Sequence, residues 1–156
     1  MSYLFVKYLH ILSATLMFGT GLGTAFYMFV TNRSRNVQAI AVVSGWVVLA
    51  DWLFTTPAVI FQPLSGLWMV QEAGWPIGWN WVGLTLALYA LAGACWLPVV
   101  WLQLRMRDMA RQAASSGEAL PPLYWRYERI WTLLGFPAFA ALLVVYWLMV
   151  AKPPLA

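Results

Sequence analysis

The chain alternates between four long apolar runs and short polar segments. The runs cover residues at about 3–30, 38–63, 79–104 and 130–151, and each is 20 residues or longer. That length crosses a hydrocarbon core of about 30 Å at about 1.5 Å per residue, and lipid leaves backbone groups no partner outside a helix. Because the connections are short, the pattern predicts an all-α membrane protein. Its fold is an antiparallel four-transmembrane-helix bundle, a single domain over residues 1–156.

The flanks of these runs predict how far the helices extend beyond the membrane. Residues 64–70 form an apolar tail on the second run, and residues 103–114 can continue the third as a basic amphipathic end. Residues 115–122 combine serine, glycine and proline, a composition typical of an exposed loop. Tryptophans at 68, 75, 79 and 81 predict an interfacial belt around the connection between the second and third helices.

The charges predict the topology. Charged residues make up 9% of the chain, against about 25% in a soluble domain, so a soluble fold is excluded. All seven arginines lie in or beside the first and third connections, whereas Lys7 and Lys152 lie near the termini. The positive-inside rule therefore places both termini and the second connection outside the cell. Arginines confined to such loops predict a lipid bilayer as the partner and no nucleic acid.

His10, the only histidine, is an ionisable group inside the first apolar run. Such groups are costly to bury in a membrane and mark candidate functional positions. Ser13, Ala14, Met17 and Gly21 follow on the same helical face, and small residues beside a histidine leave room for a flat ligand. The pattern alone leaves two interpretations open: His10 binds a ligand, or it hydrogen-bonds to a neighbouring helix.

Asp51 lies near the middle of the second run and belongs to a polar stripe. The stripe has a period of three to four residues and comprises Ser44, Val48, Asp51, Thr55, Ala58 and Gln62. It is predicted to point into the bundle, because lipid would leave it unsatisfied. Asp51 either relays protons and orients a cofactor, together with Thr55, or forms a hydrogen bond that holds the helices together.

Several segments resemble the DUF2269 family of bacterial inner-membrane proteins. They are Lys7–Ser13, Asp51–Ile60, Gln62–Trp68, Ala94–Val100 and Gln103–Asp108. The resemblance covers most of the chain and implies a multi-pass protein of the bacterial inner membrane.

A more distant resemblance links the Lys7–His10 start and the Pro-Ala and Gly-Leu-Trp elements to HemJ-type protoporphyrinogen oxidase and to CopD-like membrane domains. It implies a haem b-dependent membrane oxidoreductase with His10 as an axial ligand to the metal. Lys7, or backbone at the outer surface, would then meet the propionates, and the glycine face that includes Gly21 would lie against the porphyrin. Because the chain has no second histidine, the other axial position would be taken by Met17, Met69 or another methionine, by a histidine of a neighbouring protomer, or would stay open.

The substrate implied is a quinone or a porphyrin. However, residues 81–89 lack the basic side chains of the HemJ-type third helix, which argues against protoporphyrinogen oxidation itself.

A second function remains open from the residues alone. The chain would be a non-catalytic membrane subunit or a small-solute carrier without a cofactor. In that case Asp51 and the glycines serve packing or transport, and the tryptophan-rich outer connection binds another copy or a membrane partner protein.

Overall fold

The structure, a computed structural model, describes residues 2–154 and shows only helices and connections in that range. The helices are α1 (Ser2–Arg33), α2 (Val37–Glu72), α3 (Trp81–Ser116) and α4 (Pro122–Ala151). All four are long and apolar enough to cross a membrane, which confirms the predicted four-helix membrane protein. Of the predicted domain 1–156, residues 1, 155 and 156 lie outside the described range.

Two predicted boundaries need correction. α3 does continue past the apolar run, but it includes Ser115 and Ser116, which were expected in the loop. α4 begins at Pro122 rather than at about 130. An apolar run reports only the length that contacts lipid, whereas a helix continues in water as long as its polar turns find support. Tyr124 gives that support, because it is fully buried in the first turn of α4.

Local chemistry explains where the helices start and stop. The Asn36 side chain accepts a hydrogen bond from the Ala39 N–H and caps α2, and Asn80 does the same for Val82 and Gly83 at the start of α3. Gly117 ends α3 with φ 72°, a left-handed conformation that glycine adopts without strain.

A π-helical turn interrupts α2 at Asp51–Thr55. The Thr56 N–H donates to the Asp51 carbonyl, five residues back, and Pro57 follows directly. Proline has no N–H to continue the α-helical ladder, so a wider turn ahead of it accommodates the missing bond. The turn therefore lies at the position of the buried carboxyl group.

The helices pack in chain order: α1 on α2, α2 on α3, and α3 on α4, while α1 and α4 contact each other less extensively. Between α1 and α4, the Tyr146 hydroxyl donates to the Ala14 carbonyl at 2.8 Å, and Phe18 contacts Phe139 edge to face. The contact between α1 and α4 is therefore the loosest seam of the bundle.

The best-packed core lies at the arginine-bearing end. Met28, Ile40, Met106 and Tyr124 are fully buried there, and the Tyr124 hydroxyl donates to Asn32 Oδ1 at 2.7 Å. The Arg35 guanidinium lies 4.0 Å from the Trp125 ring centre, so the first and third connections share this end, as predicted. Which side of the membrane this end occupies stays a prediction.

Candidate functional site: two adjoining cavities

α2 anchors His10 of α1 by two hydrogen bonds. The His10 Nδ1 and the Ser65 hydroxyl are 2.7 Å apart, and the Gln62 amide donates to the His10 carbonyl at 2.8 Å. His10 is 6% exposed and Ser65 is 4% exposed, so both bonds are shielded from water. These contacts confirm that the histidine reaches a neighbouring helix.

The proton of the Ser65 hydroxyl identifies the tautomer of His10. Ser65 Oγ lies 2.7 Å from the Phe61 carbonyl, which can only accept, so the hydroxyl donates there. With its proton directed at that carbonyl, Ser65 Oγ is free to accept from His10 Nδ1–H. In neutral histidine the Nε2 nitrogen therefore carries the free lone pair. This arrangement, in which one ring nitrogen donates and the other is free, is the one found in metal-binding histidines.

His10 lines a cavity of about 460 Å³, here called the His10 cavity. Its volume falls in the range of about 300–1,000 Å³ typical of small-molecule sites. Residues from all four helices form its wall, and the ones used below are Lys7, Met17, Gln62, Thr85 and Lys152. Most of the wall is aliphatic or aromatic, so a ligand there would be largely apolar.

Two ammonium groups line the same cavity. Lys7 lies one helical turn before His10, and Lys152 follows the end of α4. Lys152 Nζ lies 4.4 Å from the ring centre of Trp75, whose ring contacts that of Trp81. A cation over an aromatic face is held in place by the ring quadrupole. The cavity thus combines an apolar wall with positive charge.

The polar stripe of α2 points into the bundle as predicted. Ser44, Asp51, Thr55 and Gln62 are each at most 6% exposed. Asp51 and Thr55 are brought together, since the Thr55 hydroxyl donates to Asp51 Oδ1 at 2.9 Å. This bond lies within α2 and does not join it to another helix, so both interpretations of Asp51 stay predictions.

Asp51 and Thr55 line a second cavity of about 440 Å³, here called the Asp51 cavity. Gln103 of α3 also lies there and is 5% exposed. Gly21 lines this cavity and not the His10 cavity, and a Cβ at Gly21 would lie 3.5 Å from Phe139. The structure therefore separates Gly21 from His10 and Lys7, with which the resemblance grouped it, whereas Met17 lines both cavities.

Three residues line both cavities: Met17, Tyr89 and Leu142. The Tyr89 hydroxyl donates to the Val59 carbonyl at 2.8 Å and lies 3.9 Å from Met17 Sδ. Met17 is therefore part of a thin partition between the two cavities. Its predicted role as a second ligand to a haem stays a prediction.

Several site residues were not predicted from the sequence. Ser65 extends the polar stripe by one further step of three residues, so the periodicity could have revealed it. From the sequence, Lys152 indicates only the membrane topology. No sequence signal indicates Tyr89, because its position in the partition depends on how α3 is rotated against α1.

The described residues contain no cluster of three or more His, Cys, Asp or Glu side chains that could hold a metal ion. The His10 cavity supplies one imidazole nitrogen, thioethers and two ammonium groups. These groups suit a metal ion whose other ligands are supplied by an organic ring.

Comparison with known proteins identifies one matching family. The chain matches the DUF2269 family, described as predicted integral membrane proteins, over residues 4–153. No curated protein and no solved structure matches the chain. The distant similarity to HemJ-type and CopD-like proteins therefore stays a prediction.

Proposed function

The chain belongs to the DUF2269 family of predicted integral membrane proteins, and we propose that it binds haem b in the His10 cavity for electron transfer within the membrane. The free Nε2 of His10 carries this proposal. A lone pair held by a buried hydrogen bond on the opposite nitrogen is suited to axial ligation, and the surrounding wall is apolar.

The polar groups in and beside the cavity each have a role in the proposed haem binding. Ser65 fixes the His10 ring through Nδ1–H, and Gln62 fixes the α1 backbone beside it. Lys7 and Lys152 supply positive charge for the two propionates of the haem. The tryptophans beside Lys152 limit access of water to that edge. When bound, haem would supply one-electron exchange, at a potential that the low polarity of the wall would influence.

The membrane we propose is the bacterial inner membrane, with the arginine-bearing end in the cytoplasm. The His10 cavity opens at the opposite end, near both termini and the connection between α2 and α3. Haem would then lie in the outer half of the bilayer, where its propionates reach the interface.

Titration of the purified, haem-free protein with haemin tests the assignment. The wild type is expected to give a Soret band at one haem per chain. His10→Ala is expected to weaken binding at least tenfold, and added imidazole should restore the band by replacing the lost ligand.

Thr85→Val is the matched control. Thr85 lines the same cavity, and its hydroxyl has no hydrogen-bond partner among the described residues. This near-isosteric change should leave haem affinity unchanged. If the wild type and His10→Ala bind haemin equally well, and circular dichroism shows that both are folded, the proposal is refuted.

A further inference from the structure

The Asp51 cavity differs from the His10 cavity in the sign of its charge. Among the residues that line the Asp51 cavity, Asp51 is the only acidic one, and none is a lysine, an arginine or a histidine. In the membrane, ionisable side chains almost always face the bundle interior or a cavity and mark functional positions. The side chains that hydrogen-bond to the Asp51 carboxyl are the neutral Thr55 hydroxyl and the neutral Gln103 amide.

Aromatic rings make up much of the remaining wall. They come from α1, α3 and α4 and comprise Phe26, Phe29, Tyr89, Trp96, Trp131, Phe136 and Phe139. Aromatic faces attract cations through their quadrupole, and the attraction is stronger where water is excluded. A carboxyl group among aromatic rings is the chemistry that recognises an organic cation.

The mouth of the cavity lies at the seam between α1 and α4. Leu22 and Phe26 of α1 and Phe136 of α4 line the cavity and are also exposed, Phe136 by 70%. All three side chains are apolar, so the opening points to the hydrocarbon of the bilayer. A ligand that dissolves in lipid can enter there without crossing a polar surface.

From this geometry we infer that the Asp51 cavity is a binding site for lipophilic organic cations. The cation lies beside the Asp51 carboxylate, and its apolar groups contact the aromatic wall. This site is independent of haem binding, because its charged residue and its mouth lie outside the His10 cavity. Two polar groups of the wall, Trp131 Nε1 and Thr132 Oγ1, have no hydrogen-bond partner among the described residues, but both are shielded from the cavity surface. A neutral carbonyl compound therefore fits less well than a cation beside Asp51.

Two probes of nearly equal shape separate these ligand classes. Methyltriphenylphosphonium carries a positive charge, whereas triphenylphosphine oxide is neutral and offers an acceptor oxygen. Equilibrium dialysis against the full-length protein in detergent, with protein-free micelles subtracted, should show at least tenfold tighter binding of the phosphonium. Equal affinities, tighter binding of the oxide, or no binding of either probe would overturn the inference.

Asp51→Asn is the decisive variant, because asparagine keeps an oxygen for Thr55 and removes the charge. It should abolish the preference for the phosphonium and leave binding of the oxide unchanged. Glu72→Gln removes the same charge from the exposed end of α2 and should keep the wild-type preference. Loss of the preference in Glu72→Gln as well would show a general surface effect and contradict the site.

A second variant keeps the test decisive if Asp51→Asn fails to fold. Gly135 lines the cavity, and a Cβ there has no atom within 4 Å. Gly135→Leu should fill the space and reduce phosphonium binding at least tenfold, while haemin titration of the same variant stays unchanged. Unchanged phosphonium binding in Gly135→Leu would place the cation elsewhere, whatever the outcome for haem.

Discussion

At the scale of single residues, the hydrogen bond between His10 and Ser65 decides what His10 can do. It holds the ring orientation through Nδ1 and leaves Nε2 without a hydrogen-bond partner, in a residue that lines the cavity. Without it, the ring would rotate and its two nitrogens would be equivalent candidates. The role proposed for His10 thus depends on a serine 55 residues away in the chain.

Ser65→Ala should remove the acceptor and leave a buried N–H without a partner, at a cost of about 1–3 kcal/mol in the free energy of unfolding. Haem affinity should fall by about 10–100-fold, the usual effect of losing an outer-shell partner. Denaturant titration and haemin titration measure the two effects. Ser13→Ala is the control, because Ser13 makes only a 3.5 Å bond to the Ala58 carbonyl of the same helix pair. Equal losses in both variants would contradict the role of Ser65.

Gly83 shows a different residue-scale constraint. A Cβ at this position would overlap the carbonyl oxygen of Gly78, a backbone atom that cannot turn aside. Gly83→Ala should therefore lower the free energy of unfolding by about 1–3 kcal/mol, as overpacking does. Gly93→Ala lies in the same helix with no atom within 4 Å of the new Cβ, so it should be neutral or slightly stabilising. A neutral Gly83→Ala in the same denaturant titration would show that the connection adjusts freely.

At the scale of elements, α2 supplies buried polar side chains to both cavities. One face of it holds Asp51 and Thr55 beside one cavity and Gln62 and Ser65 beside the other. The π-helical turn lies within this face, so it sets the rotation of Gln62 and Ser65 relative to Asp51.

Deletion of one residue tests this role of the turn. A π-helical turn contains one residue more than an α-helical turn, so deleting Phe54, which is exposed, should give a regular helix with the faces still aligned. Deleting Leu49 from the regular part should instead rotate everything after it by about 100° and abolish haem binding. Haemin titration compares the two deletions. If both deletions abolish binding, the turn does not set the register.

The elements were largely predictable from the sequence, and the site was only partly so. Apolar runs reveal the membrane-spanning helices because lipid contact imposes their composition. The stripe through Asp51 reveals the inward face of α2. The contact between His10 and Ser65 and the partition at Tyr89 depend on how α1 is rotated against α2 and α3. A single sequence does not encode these in any local pattern.

At the scale of the whole molecule, packing and charge are distributed unequally. The arginine-bearing end has the dense core around Tyr124, whereas the other end and the middle contain the two cavities. One cavity offers positive charge and the other a carboxyl group. The fold therefore combines a densely packed end with two cavities in the rest of the bundle.

The orientation in the membrane can be tested by labelling. In a Cys95→Ser background, Ser115→Cys marks the arginine-bearing end and Gln71→Cys the other end, and both positions are exposed. A membrane-impermeant maleimide added to intact spheroplasts should label Gln71→Cys and spare Ser115→Cys until the membrane is opened. The reverse pattern would contradict the topology drawn from the arginines.

The most direct test of the central claim is the reduced-minus-oxidised absorption spectrum of the protein purified from membranes of haem-replete cells. Haem b ligated by His10 predicts a Soret band with sharp bands in the visible region on reduction with dithionite, and their loss in His10→Ala. A colourless wild-type protein that is fully folded would contradict the claim.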